Sequence, residues 1–122
     1  MKPRIDQQIT FLHAQDMQKT RVFYEGLLGL KMARDQATCL IFQTTDSAFL
    51  GFCEHIEPIE PGRRVILTLV TDFVDEWYDD LNKHGAIIKN PPAANLDYQI
   101  YHFFLEDPNG YWIEIQQFGQ PL

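Results

Sequence analysis

The stretch EDPNGYWIEI, residues 106–115, decides how this chain is read. Its first half is a turn. Asp107, Pro108, Asn109 and Gly110 fit the four corners of a type I turn, with the acid first, the fixed φ of proline second, Asn third and Gly fourth. Its second half alternates like a strand and sets a single carboxylate, Glu114, between Ile113 and Ile115. Such an acid is either an outward, solvated position or an inward one with a job, and alternation does not say which.

Working outward, the turn joins two strand-like runs, YQIYHFFLE and YWIEIQQF, and these close a longer pattern. RRVILTLV comes first, then the helical stretch DFVDEWYDDLNKHGA. There Asp72 is placed to cap, Val74, Trp77, Tyr78 and Leu81 form an apolar stripe, and Gly85 closes. AIIK follows. The same order occupies the first half of the chain. QQITFLHA precedes DMQKTRVFYEGLLGL, where Asp16 caps, Thr20, Phe23, Tyr24, Leu27 and Leu28 share a face, and Gly29 takes the exit. LKMAR, ATCLIFQ and SAFLGFCE come next. The chain is therefore strand, helix, three strands, twice over, in one domain over residues 1–122. Module one spans about residues 5–54, a Pro- and Gly-bearing linker residues 55–64, and module two about residues 65–119. The loop from Asn90 to Asp97, stiffened by Pro91 and Pro92, reads as a flap.

Composition narrows the function. With 122 residues, 45% of them apolar and 22% charged, the chain builds a core without metal or disulfide support. No apolar run approaches the roughly 20 residues of a membrane span, and the N-terminus lacks the apolar stretch of a secretory signal, so no membrane partner and a cytoplasmic location are expected. A net charge of -7 and a pI near 4.9 argue against nucleic acid as a partner. Cys39 and Cys53 lack metal-binding spacing and read as reduced, packed thiols.

TRVFYEGLLGLKM, the doubled βαβββ order and HFFLEDPNGYWIEI together resemble the vicinal oxygen chelate superfamily, which includes glyoxalase I, bleomycin-resistance proteins and extradiol dioxygenases. The resemblance covers essentially the whole chain. It implies an α+β fold in which two βαβββ modules form curved mixed sheets around a cleft, and a homodimer. It also implies that Glu114 points into the cleft, where metalloenzyme members use it as a metal ligand. The other ligand places fall at Ile9, or Gln8 if the first strand slips by one, at Ile66, and near Gly51. Ile9 and Ile66 cannot coordinate a cation, and Glu114 alone is a firm donor, so no metal cofactor is expected.

A four-residue turn sets Leu105 opposite Trp112, Phe103 opposite Glu114 and Tyr101 opposite Gln116, so these six should share a face. Ile9, Phe11 and His13 join from the first strand, Ile66, Thr68 and Val70 from the fifth, and Cys53 by alternation. The expected ligand-binding set is thus His13, Phe11, Thr68, Tyr101, Phe103, Trp112, Glu114, Gln116 and Cys53, an aromatic pocket with few polar anchors. His102 should lie on the opposite face. Desolvation disfavours a lone charged carboxylate there unless a cation or donor compensates. The first expectation is a small aromatic or cationic ligand anchored by Glu114. The second is a lyase, isomerase or dioxygenase in which Glu114 is the catalytic base or a metal ligand, with His13 or Tyr101 as acid. The third is a non-catalytic module whose cleft is filled by Trp112, Phe103 and Tyr101.

Overall fold

Asp16 separates the first strand from the first helix. In the computed structural model, which describes residues 1–60 and 64–122, β1 is Gln8–His13, and the Asp16 carboxylate accepts from the Lys19 amide at 2.9 Å to cap α1, Met17–Arg21. From Val22 to Leu27 the helix continues with π spacing, the Leu28 amide donating to the Phe23 carbonyl at 2.9 Å. That wider turn brings Phe23, Tyr24 and Leu28 onto the sheet and leaves Leu27 only half-buried. Gly29 ends it at φ +70°. The strands β2 (Lys31–Asp35), β3 (Cys39–Thr45) and β4 (Ala48–Cys53) complete a sheet of order β1-β4-β3-β2, with β1 parallel to β4 and the other pairs antiparallel. Tyr24 is its keystone, fully buried and stacked on Phe52 at 4.3 Å and Phe42 at 5.6 Å.

The chain divides into two units, Met1–Pro61 and Gly62–Leu122. The segment read as a linker runs across this division, and its residues 61–63 lie outside the described residues. The second unit repeats the scheme with β5 (Ile66–Val70), α2 (Val74–Lys83), β6 (Ile87–Ile88), β7 (Ala93–Asn95), β8 (Ile100–Glu106) and β9 (Trp112–Phe118). Its order is β5-β9-β8-β6, with β5 parallel to β9. Asp72 does not cap α2. The N-cap position is Phe73, whose amide donates to the Thr71 hydroxyl at 3.1 Å. The expected flap also differs: β7 lies within it, antiparallel to β8. Pro91 and Pro92 have no amide hydrogen to give the ladder, so β6 and β7 act as one interrupted strand along β8. Among the described residues no helix is long and apolar enough to cross a membrane.

The closing hairpin corrects the register. The Gly110 amide donates to the Asp107 carbonyl at 3.1 Å, which is the type I turn as read. Gly110 then sits at φ +86°, and the Asp107 amide donates to the Tyr111 carbonyl at 2.9 Å. A type I turn followed by a left-handed glycine forms a hairpin with a G1 bulge, and the bulge inserts one residue. Glu106 therefore pairs with Trp112, Phe104 with Glu114 and His102 with Gln116. Leu105, Phe103 and Tyr101 pair instead with Ile113, Ile115 and Gln117. A shift of one residue sends every β8 side chain to the other face.

Candidate functional site

Each sheet has one face under its helix and one face without. In the second unit the helix side carries Leu67, Phe103, Leu105, Ile113 and Ile115, all buried, with Tyr78 of α2 edge-on to Phe103 at 5.4 Å. Tyr101 belongs to this side too. Its hydroxyl donates to Asp75 of α2 at 2.6 Å, and that hydrogen bond raises the tyrosine pKa above its ordinary value. Tyr101 and Phe103 are thus removed from the face to which the sequence reading assigned them.

The opposite face gathers Thr68 from β5, Trp112, Glu114 and Gln116 from β9, and His102 and Phe104 from β8. Glu114, 9% exposed, is its polar centre. One carboxylate oxygen accepts from the Thr68 hydroxyl at 2.7 Å and the other meets His102 Nδ1 at 2.6 Å. Gln116 completes the set: with its amide nitrogen turned toward the carboxylate, it donates at 2.8 and 3.2 Å. A buried carboxylate needs such donors, and an Nδ1 this close to it must carry the proton. Glu114 therefore occupies an inward, hydrogen-bonded position and not an outward, solvated one. His102, expected below the sheet, is instead its nearest partner.

Aromatic rings line one flank. His102 contacts Phe104 at 5.2 Å between centroids, and Phe104 contacts Trp112 at 5.3 Å. The Arg64 guanidinium lies 3.8 Å above the Trp112 ring, and the Lys89 ammonium is 5.4 Å from it. Lys89 also pairs with Glu106 at 3.4 Å, whereas Arg64 has no acidic partner among the described residues. On the edge strand Ile66 is 46% and Val70 60% exposed.

In the first unit, the face away from the helix carries Ile9, Phe11 and His13 of β1 beside Phe49, Gly51 and Cys53 of β4. The Phe11 ring lies against Gly51, where a Cβ would fall 2.4 Å from the ring. His13 Nδ1 is 2.7 Å from the Ile56 carbonyl, which ties the end of β1 to the segment after β4. Cys53 is not a free thiol. It stands directly opposite Cys39 across β3 and β4, Cα to Cα 4.1 Å, and the two form a disulfide. This corrects the expectation of reduced, packed thiols. Protein unfolded without reductant should titrate no free thiol, and two after reduction; two before reduction would contradict the bond.

A family-type divalent metal does not fit these donors. Of the expected places, Ile9 and Ile66 offer only carbon, and Gln8 sits on β1 one residue out of phase with Ile9. Among the described residues no three His, Cys, Asp or Glu side chains cluster so as to hold an ion.

A mixed sheet under a helix, built twice from β-α-β-β-β, defines the glyoxalase-type class of fold. The family model of the glyoxalase/bleomycin resistance protein/dioxygenase superfamily matches residues 7–115, and the chain belongs to that superfamily. It is 30% identical to the uncharacterized protein YwbC of Bacillus subtilis, over 96% of this chain and 99% of that one. Among solved structures it is similar to a glyoxalase/bleomycin resistance protein/dioxygenase from Nocardioides, with TM-score 0.78 and 17% identity over 97% of this chain and 86% of the other. A glyoxalase/dioxygenase from Nostoc punctiforme has TM-score 0.75 and 22% identity over 92% and 90%. At such identities the structural likeness speaks for the fold.

Proposed function

We propose that this chain binds a small, flat organic molecule on the open face of its second sheet, without the divalent metal of the superfamily's enzymes. The observation that carries this reading is a saturated polar centre, Glu114 with Thr68, His102 and Gln116, set beside the Phe104 and Trp112 rings. Apolar walls with a few convergent polar groups are what small-molecule sites use. The geometry favours an aromatic acid over the aromatic cation first expected. Both carboxylate oxygens of Glu114 already accept from the chain's own donors, so little remains for a ligand cation. Among the described residues the charge beside the rings without an acidic partner is that of Arg64, whose planar fork suits a carboxylate.

A filled cleft loses support, since two of the three side chains meant to fill it, Phe103 and Tyr101, lie under the helix. Pairing of two copies belongs to the same proposal, because β1 leaves Ile9 and Phe11 40% and 46% exposed, and β5 leaves Ile66 and Val70 exposed as well. Calorimetry on matched aromatic acids and aromatic quaternary amines tests the ligand class. The acids should bind in the presence of a chelator, and Trp112→Ala should weaken them about tenfold, roughly 1.4 kcal/mol. Preference for the amines, equal binding by Trp112→Ala, or loss of binding on chelation would reject the reading.

A further inference from the structure

We infer that the outer face of α2 binds a free linear polyamine, at a site separate from the open face of the second sheet. The helix has two sides of different chemistry. Val74 and Leu81 are buried and Tyr78 meets Phe103, so these three face the sheet. Trp77, placed by the sequence pattern in the same apolar stripe, is only half-buried and instead lines a shallow groove of about 310 Å³ with Phe73, Glu76 and Asp80. These four recur at i, i+3, i+4 and i+7, which is one helical face. The Phe73 ring is 63% exposed, and its capping work is done by its backbone: the amide donates to the Thr71 hydroxyl, and the carbonyl accepts from the Trp77 amide at 3.0 Å. Two rings thus wall a concave surface to which the core of the unit makes no claim.

Charge selects the occupant. Asp72, Asp75, Glu76, Asp79 and Asp80 surround the rings, and the cation of the last turn is Lys83. Acids in the first turn complement the helix dipole, which accounts for Asp75 and Glu76 but not for Asp79 and Asp80 farther along. Asp75 accepts from Tyr101, and Asp80 faces His84 at 3.5 Å with both side chains more than half exposed. Glu76 makes no hydrogen bond or ion pair among the described residues. An anion is repelled here. A compact dication is not favoured either, since among the described residues no three acidic or other metal-binding side chains converge to hold one, and rings offer it no donor. Glu76 and Asp80 lie four apart on the helix, so their Cβ atoms stand about 5–6 Å from each other. Three or four methylenes between two ammonium groups span that distance. The methylenes then lie along Phe73 and Trp77, and the ammonium groups meet carboxylates and ring faces together. The groove is at the small end of ligand sites and takes one such chain, whereas a stable protein partner would cover roughly 800 Å².

Spermidine is the probe. It is titrated into nitrogen-15-labelled protein at a fixed ionic strength of about 0.15 M, with magnesium and a lysine peptide of equal charge as separate arms. The Trp77 indole N–H and the α2 amides should shift saturably, with a Kd on the order of 1 mM for so exposed a site. Magnesium at the same concentration should neither reproduce the indole shift nor displace spermidine, because it carries charge without an alkyl chain. Trp77→Leu should weaken spermidine about fivefold and Glu76→Gln about threefold, while Trp112→Ala binds it as wild type does. Glu76→Gln changes an exposed side chain and keeps the test sharp if Trp77→Leu disturbs the fold, which thermal melts report. No saturation below about 10 mM, displacement by equal magnesium, unchanged binding by Glu76→Gln, or shifts centred on Thr68 and Trp112 overturns the proposal. A lysine peptide that binds at least about tenfold more tightly than spermidine would assign the face to a protein segment and also overturn it. The reading of the open face stands or falls separately.

Discussion

Phe103→Ala is expected to cost about 3–5 kcal/mol of stability, whereas its neighbour Phe104→Ala should cost about 1 kcal/mol or less. The two residues are chemically identical and adjacent, so the contrast comes from the hairpin alone. Phe103 is fully buried beneath α2, edge-on to Tyr78, and its removal opens a cavity between Ile115, Leu105 and the helix. Phe104 lies on the open face between His102 and Trp112, where water replaces part of what the ring covered. Urea unfolding of the two variants measures the difference directly, as a shift in midpoint at constant slope. If Phe104→Ala were the costlier change, the pairing would be Phe103 with Glu114, and the site built around His102 would dissolve. The same pair should separate in function: Phe104→Ala weakens binding of an aromatic acid, and Phe103→Ala does so only by unfolding the protein.

Most of the architecture was legible because it is written in period and punctuation. Alternating apolar residues gave eight of the strands, and the caps Asp16, Gly29 and Gly85 marked helix ends that the structure keeps. What failed to show was written in single residues. DPNG was read correctly as a type I turn, but the left-handed Gly110 adds a bulge whose presence depends on the hydrogen bond between Asp107 and Tyr111. That one residue exchanged His102 and Phe104 for Tyr101 and Phe103 on the site face. Glycine as the fourth residue was the available signal, since a three-residue loop with glycine in the left-handed region is common in hairpins. β7 escaped because Pro91 and Pro92 mask a short strand that begins directly after them. The π turn after Arg21 leaves an ordinary helical pattern in sequence. The Cys39–Cys53 bond depends on which β3 residue faces which β4 residue, and that pairing is a property of register.

Glu114 gives the second expected result, and it turns on shape against charge. Glu114→Leu should destabilise by about 2–3 kcal/mol, because Thr68, His102 and the buried Gln116 each lose an acceptor that water does not readily replace. Glu114→Gln should cost about 1 kcal/mol or less. Its amide oxygen accepts from Thr68, and its amide nitrogen donates to Nδ1 once the imidazole proton moves to Nε2. The isosteric change therefore keeps the fold and inverts the histidine, while the leucine, closer in polarity to the flanking isoleucines, does the greater harm. Thermal melts rank the two variants. A surface acid with no partners would give near-zero change for both, and leucine would even be favoured by strand propensity. An ordering of glutamine below leucine in stability would mean that the carboxylate's charge, and not its hydrogen-bonding shape, holds the three donors together.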